Sequence, residues 1–137
     1  MPFVLDASIA LSWCFEDEVS EYADAVLELL RDDIAFGPSV WPLEIANGLL
    51  IGQRRGRLSI AEVARAFDLV LGLPLSLHDV PLELALGSVA DLAATQRLSA
   101  YDAAYLDLAM RQGLPLATQD GDLRAAAGRL GVHVMET

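Results

Sequence analysis

Short apolar runs alternate with helical stretches along the whole of this chain, and that alternation admits few folds. Phe3 to Asp6, Ile34 to Gly37, Leu75 to Val80, Pro115 to Thr118 and Val132 to Met135 read as strands. Short, apolar runs of this kind suit a sheet buried on both faces. The segments between them carry helix signals. Ser20 opens one stretch with Tyr22, Val26, Leu29 and Leu30 at helical spacing, and Pro42 starts another that ends near 52–56. Ser59-Ile60-Ala61-Glu62 has the form of a capping box, and Pro81 opens a helix over 82–96. Ser99 caps a helix reaching Arg111 and stopped by Gly113, and Gly121 to Arg129 is the last. This order predicts an α/β fold with a mainly parallel sheet of four to five strands. There is no repeat, linker or low-complexity tract, so a single domain over 1–137 is expected.

At 54% hydrophobic residues the chain can bury a core unaided, while its apolar runs are too short and interrupted to span a bilayer. Met1-Pro2-Phe3-Val4-Leu5-Asp6 lacks the basic flank and cleavage site of a secretory signal. The one cysteine, Cys14, has no internal disulfide partner and reads as an inert thiol among Leu11, Trp13 and Phe15; a cytoplasmic setting is expected. All nine basic residues are arginines, and against 20 acids they leave a net charge of −11. Without lysine there is no P-loop grip on phosphate, nor the lysine usual beside a phosphorylated aspartate pocket. So acidic a chain is not built to coat nucleic acid broadly. It suits a basic protein partner, or a substrate held by a few arginines and a metal.

Four acids stand where an apolar run gives way to a helix: Asp6, Glu44, Asp102 and Asp120. Each has an ordinary explanation as a helix cap or as a charge offsetting the positive helix end. Jointly they say more. In a parallel sheet, strand ends and helix starts share one edge, where ligands bind at a switch point. Crowded carboxylates repel unless a cation sits among them, and hard oxygen donors of this kind select Mg²⁺ or Mn²⁺. Such an ion activates water and neutralises an in-line phosphoryl transition state. His78 and His133 fall in strand contexts and read as structural, so a zinc site is not expected.

Val4-Leu5-Asp6-Ala7-Ser8, Pro42-Leu43-Glu44-Ile45-Ala46-Asn47, Leu98-Ser99-Ala100-Tyr101-Asp102-Ala103-Ala104-Tyr105 and Leu116-Ala117-Thr118-Gln119-Asp120 resemble, in order and spacing, the four acidic motifs of PIN-domain nucleases. The likeness is to the VapC-type toxins of toxin–antitoxin pairs. It implies a PIN-like α/β/α sandwich and a metal-dependent endoribonuclease cleaving RNA phosphodiester bonds. Asp6, Glu44, Asp102 and Asp120 would form the catalytic, metal-binding quartet, with Asp6 and Asp102 the direct ligands, and Ser8, Asn47 and Thr118 would support it by hydrogen bonding. Asp122 reads either as an auxiliary ligand or as an ordinary helix start; Asp107, five residues beyond Asp102, falls on another helical face. The resemblance also implies a cognate antitoxin with a basic C-terminal arm, and a homodimer.

Arg54, Arg55 and Arg57 are the only basic cluster, at the end of the helix that carries Glu44. They read as helix-end cations or as a clamp on RNA phosphates about 15 Å from Glu44, at 1.5 Å per residue. Two other functions fit parts of the pattern. A non-catalytic PIN-like module binding RNA or protein would not need the intact quartet. A metal-dependent phosphatase acting on a small phosphoester would usually carry Asp-x-Asp after the first strand, where this chain has Asp6-Ala7-Ser8.

Overall fold

Four strands, Phe3–Leu5 (β1), Ala35–Pro38 (β2), Leu75–His78 (β3) and Leu116–Ala117 (β4), lie parallel in the order 3-2-1-4, in agreement with the sequence pattern. The computed structural model describes residues 1–18 and 20–136. β1 is buried along its length because it is flanked on both sides: Val4 is in register with Phe36 of β2 and with Leu116 of β4. From β1 the chain crosses to β2 in one direction, while β4 lies on the other side. The topological switch point therefore falls between β1 and β4.

The helices are Ala7–Ser12 (α1), Glu21–Leu29 (α2), Trp41–Arg54 (α3), Ile60–Leu71 (α4), Leu82–Leu84 (α5), Ala90–Gln96 (α6), Ala100–Gln112 (α7) and Gly121–Arg129 (α8). Their starts follow the sequence signals. Ser20 accepts from the Ala23 N–H, Ser59 and Glu62 form the reciprocal capping box, and Ser99 accepts from the Asp102 N–H. Gly113, at φ +64°, ends α7 in the left-handed conformation that glycine adopts cheaply. α1 packs on α2 and α3, α3 packs on α4, and α7 lies against β1 and β2 with α6 and α8 beside it, giving an α/β/α sandwich.

Two expectations need correction. The fifth strand over 132–135 is reduced to one parallel bridge, Leu116 with Val134, fixed by bonds of 2.9 Å from Leu116 N–H to His133 O and from Met135 N–H to Leu116 O. β4 has only two residues, so no longer ladder is open to it. The helix expected over 82–96 is interrupted by a π turn, Ala85–Val89. From this wider turn Ser88 Oγ donates to Asp107 Oδ1 at 3.1 Å.

Two contacts set α3 at the sheet edge. Trp41, in its first turn, is buried and donates Nε1–H to the Leu5 carbonyl at 3.0 Å. Further along, Gly48 and Gly52 face α1 and the turn after it: a Cβ on Gly48 would meet Leu11 Cδ1 at 2.7 Å, and one on Gly52 would meet Phe15 Cε1 at 2.8 Å. The absence of side chains there lets the elements approach.

Candidate active site

The end of β1 becomes the cap of α1, and that single step makes Asp6 both structural and available. Asp6 is buried, at 5% exposure, in extended backbone, and its Oδ1 accepts from the Ser8 N–H at 3.2 Å. Its Oδ2 accepts from Thr118 Oγ1 at 2.7 Å, a bond that spans the gap between β1 and β4. Thr118 is fully buried and its hydroxyl oxygen in turn accepts from the Asp120 N–H at 3.1 Å. Asp120 caps α8 through the Asp122 N–H at 3.3 Å. The two acids that follow adjacent strands are thus joined through one threonine.

Glu44 lies in the first turn of α3 and Asp102 in the first turn of α7. Tyr105, one turn beyond Asp102, is completely buried and couples three elements: its hydroxyl donates to Glu44 Oε2 at 3.0 Å and accepts from the Ala7 N–H at 3.4 Å. The other oxygen, Glu44 Oε1, is buried with no hydrogen-bond partner. Burial, followed by the charges of Asp6 and Asp102, pushes the Glu44 carboxyl above its ordinary range, against the opposing effect of the Tyr105 bond. Burial likewise leads the rise of Asp102, with Asp6 and Asp120 adding to it, up to about 6. Burial and the neighbouring Glu44 and Asp6 raise the Tyr105 phenol far above its usual value, so it remains a donor at every working pH.

The quartet named from sequence is therefore one electrostatically coupled group on the carboxyl edge of the sheet. As the side chains stand, no three His, Cys, Asp or Glu residues among those described are close enough to ligate a single ion. The chemistry of the donors nevertheless fits a hard divalent cation. All are carboxylate oxygens, one is buried without a partner, and two carboxyls are raised by burial with neighbouring anions adding to the shift, which a cation opposes. Holding an ion at all four acids would require the side chains to move together from these positions.

The other residues singled out from sequence are placed as follows. Thr118 supports Asp6 with its hydroxyl, whereas Ser8 does so with its backbone N–H. Asn47 is exposed beside Glu44 and Asp102, and among the described residues its amide has no hydrogen-bond partner. Asp122 is exposed at the start of α8. Asp107 is buried away from the quartet, held by Arg111 Nε at 2.6 Å and by Ser88. Arg54 and Arg55 are exposed at the far end of α3. Arg57 instead bonds to Asp17 at 2.9 Å and Glu18 at 2.8 Å, with its guanidinium 4.1 Å from the centre of the Phe15 ring. Cys14 is half-buried and burial raises its thiol, in keeping with an unreactive group. His78 stacks on Phe36, as a structural histidine does.

Sequence reasoning missed Trp41 and Tyr105. Each sits three residues from a quartet acid on its own helix, Trp41 before Glu44 and Tyr105 after Asp102, and so shares that acid's face. That spacing was the available signal. A third omission, Arg124, donates Nε–H to the Thr118 carbonyl at 2.7 Å and so fixes the backbone between Asp6 and Asp120.

A parallel sheet whose switch point carries coupled carboxylates defines an α/β protein with an acidic, cation-suited site. The particular family follows from the sequence match: residues 3–129 match the PIN domain model, and the chain belongs to the PIN domain family. No curated protein matches the chain in sequence. Among solved structures it is similar to PAE2754 from Pyrobaculum aerophilum, at 25% identity and a TM-score of 0.68, over 92% of this chain and 79% of that one. It is similar in fold to VapBC2 from Rickettsia felis, solved bound to a DNA fragment from their promoter, at 15% identity and a TM-score of 0.66, over 99% and 98%. The same holds for VapC20 of Mycobacterium tuberculosis, a sarcin–ricin loop cleaving toxin, at 16% identity and a TM-score of 0.63, over 90% and 94%.

Proposed function

We propose that this chain is a metal-dependent endoribonuclease, working as a single domain and as the toxin of a toxin–antitoxin pair. The observation that carries the reading is the coupling of Asp102 to Asp6, Glu44 and Asp120 at the switch point of a PIN-domain sheet. Asp6 and Asp102 would hold Mg²⁺ or Mn²⁺, with Glu44 and Asp120 completing the donor set. Such an ion, when bound, supplies a Lewis acid for water activation and neutralises charge gathering on the phosphoryl oxygens. The rest is positioning by the chain itself. Thr118 and the Ser8 N–H fix both oxygens of Asp6, Tyr105 fixes one oxygen of Glu44, and Arg124 pins the strand end that carries Thr118. These bonds orient Asp6 and Glu44 before any substrate arrives, so less of their geometry has to be organised during the reaction.

The likeness in fold to VapBC2 and VapC20 supports the toxin role, and with it an antitoxin partner in a cytoplasmic setting. A net charge of −11 suits an antitoxin with a basic C-terminal arm. A homodimer goes with the same reading. Among the described residues no helix is long and apolar enough to cross a membrane. The test is cleavage of RNA by purified protein in Mg²⁺ or Mn²⁺. Activity should vanish in excess chelator and fall by orders of magnitude in Asp102→Asn; equal cleavage in either case overturns the proposal.

A further inference from the structure

Asp6 directly follows β1, whereas β4 ends at Ala117 and Asp120 stands three residues beyond it, outside the sheet. Helix α2, which carries none of the four acids, reaches this loop from the side. At its cap, Ser20 Oγ accepts from Gln119 Nε2–H at 2.7 Å, across 99 residues of chain. In its first turn the Tyr22 ring lies against the Arg124 guanidinium, 4.9 Å from centre to carbon, within the range of a cation–π contact. Arg124 in turn grips the loop twice. Its Nε–H donates to the Thr118 carbonyl at 2.7 Å, and its backbone N–H donates to the Asp120 carbonyl at 2.9 Å. α2 is itself anchored, since Trp13 at the end of α1 donates Nε1–H to the Ala23 carbonyl at 2.8 Å. The Tyr22 hydroxyl is buried and has no hydrogen-bond partner among the described residues, so the ring and not the hydroxyl makes the contact.

Resting on the metal-site reading of the quartet above, we propose that α2 braces the Asp120 side of the site, with Tyr22 and Arg124 as positioning residues that act through the loop carrying Asp120. The Tyr22 ring fixes the plane of the guanidinium, and the guanidinium fixes the Thr118 carbonyl. The Thr118 hydroxyl then sets Asp120 against Asp6. Gln119 adds a second tie from the same loop, weaker because it lies at the surface, where water competes for it. The pair needs an arginine. A lysine would keep the charge but has no planar fork that can rest on a ring while donating to a carbonyl.

The test reads Mn²⁺ affinity by calorimetric titration without RNA, and separately kcat and KM on a single-stranded oligoribonucleotide at subsaturating Mn²⁺. Tyr22→Leu and Arg124→Lys should each weaken Mn²⁺ binding roughly tenfold and lower kcat, with KM for RNA little changed. Tyr22→Phe keeps the ring and should behave as the native chain. In an Asp120→Asn background neither Tyr22→Leu nor Arg124→Lys should weaken Mn²⁺ binding further, since the brace acts through that carboxylate. Thermal melting shows which variants are folded, and if Tyr22→Leu is not, Arg124→Lys carries the comparison. Native Mn²⁺ affinity in the folded variants overturns the brace while leaving the nuclease reading intact if the native chain cuts RNA. An undiminished loss in the Asp120→Asn background also overturns it, because the effect then bypasses Asp120. Mn²⁺ binding that depends on Tyr22 and Arg124 without any RNA cleavage keeps the brace and removes the nuclease. Native protein that binds no Mn²⁺ removes both.

Discussion

The indole N–H of Trp41 donates to the carbonyl of Leu5 at 3.0 Å, tying the first turn of α3 to the last residue of β1. Leu5 precedes Asp6 and Trp41 lies one turn before Glu44, so this buried bond sets the spacing of two of the four acids. Trp41→Phe keeps most of the ring but leaves the Leu5 carbonyl without a donor. Unfolding by urea should show a loss of about 1–3 kcal/mol. RNA cleavage per folded molecule should fall as well, because Glu44 is released from its place. Full activity in the folded Trp41→Phe fraction would show that the bond only stabilises.

Tyr105→Phe removes one oxygen and orphans two groups, the Ala7 N–H and Glu44 Oε2. A stability loss of about 1–3 kcal/mol is expected for leaving buried polar groups unpaired. Divalent metal should bind more weakly, since Glu44 is no longer oriented, and calorimetric titration with Mn²⁺ measures this directly. Unchanged Mn²⁺ affinity would separate Tyr105 from the site.

Asp102 supplies the pH dependence. Its folded carboxyl titrates near 6, chiefly through burial, against about 3.9 in an unfolded chain. A raised pKa means that the folded state holds this proton more tightly. The stability it contributes is full below pH about 4 and is lost as pH rises through 6. Metal-free protein should therefore melt at a lower temperature at pH 7.5 than at pH 5, and Mg²⁺ should restore melting at pH 7.5 but not at pH 5. Asp102→Asn should flatten both responses. Thermal melting at the two pH values with and without Mg²⁺ decides it.

Only two of the three clustered arginines are free of ion pairs among the described residues, which changes what their removal should do. Arg57 is engaged by Asp17 and Glu18. Replacing Arg54 and Arg55 together with alanine should reduce the log–log salt slope of RNA binding by up to about 1.4, two contacts at ~0.7 each for single strands. Arg57→Ala should leave that slope unchanged. A slope in Arg54→Ala/Arg55→Ala protein equal to the native value would leave both as ordinary helix-end cations.

The acids were legible because each breaks an apolar run at a helix start, and polar residues in such places stand out locally. Thr118 is named only through the resemblance of its motif to that of PIN-domain nucleases. Trp41 and Tyr105 read instead as core, as an aromatic residue in an apolar helix does; only their three-residue spacing from Glu44 and Asp102 marks them, and their partners lie 36 and 61 residues away. The alternating pattern gave strand number almost correctly but not strand length. Val132 to Met135 has the same apolar character whether it forms a ladder or one bridge, and the shortness of β4, at the opposite side of the pair, decides between them. The π turn at Ala85–Val89 left no mark on the apolar spacing, because one extra residue in a turn merely shifts the phase. Arg57 was grouped with its neighbours by sequence, whereas its acid partners come from the turn Glu16–Glu18 far upstream.

Gly52 ties three parts of the molecule into one mechanical train. The Cβ it lacks would strike Phe15 at two ring atoms, 2.8 and 2.9 Å away, and that ring also bears the guanidinium of Arg57, which in turn clasps Asp17 and Glu18. The Phe15 ring is buried and has little freedom to swing aside, unlike the half-buried Leu11 opposite Gly48. A methyl group introduced at Gly52 would thus be transmitted outwards, ring to cation to acidic turn, and inwards to the seating of α3. The tolerance of the acidic site's geometry to evolutionary drift is therefore limited at a position that touches none of the four acids and that an inspection of the acids alone would leave unguarded.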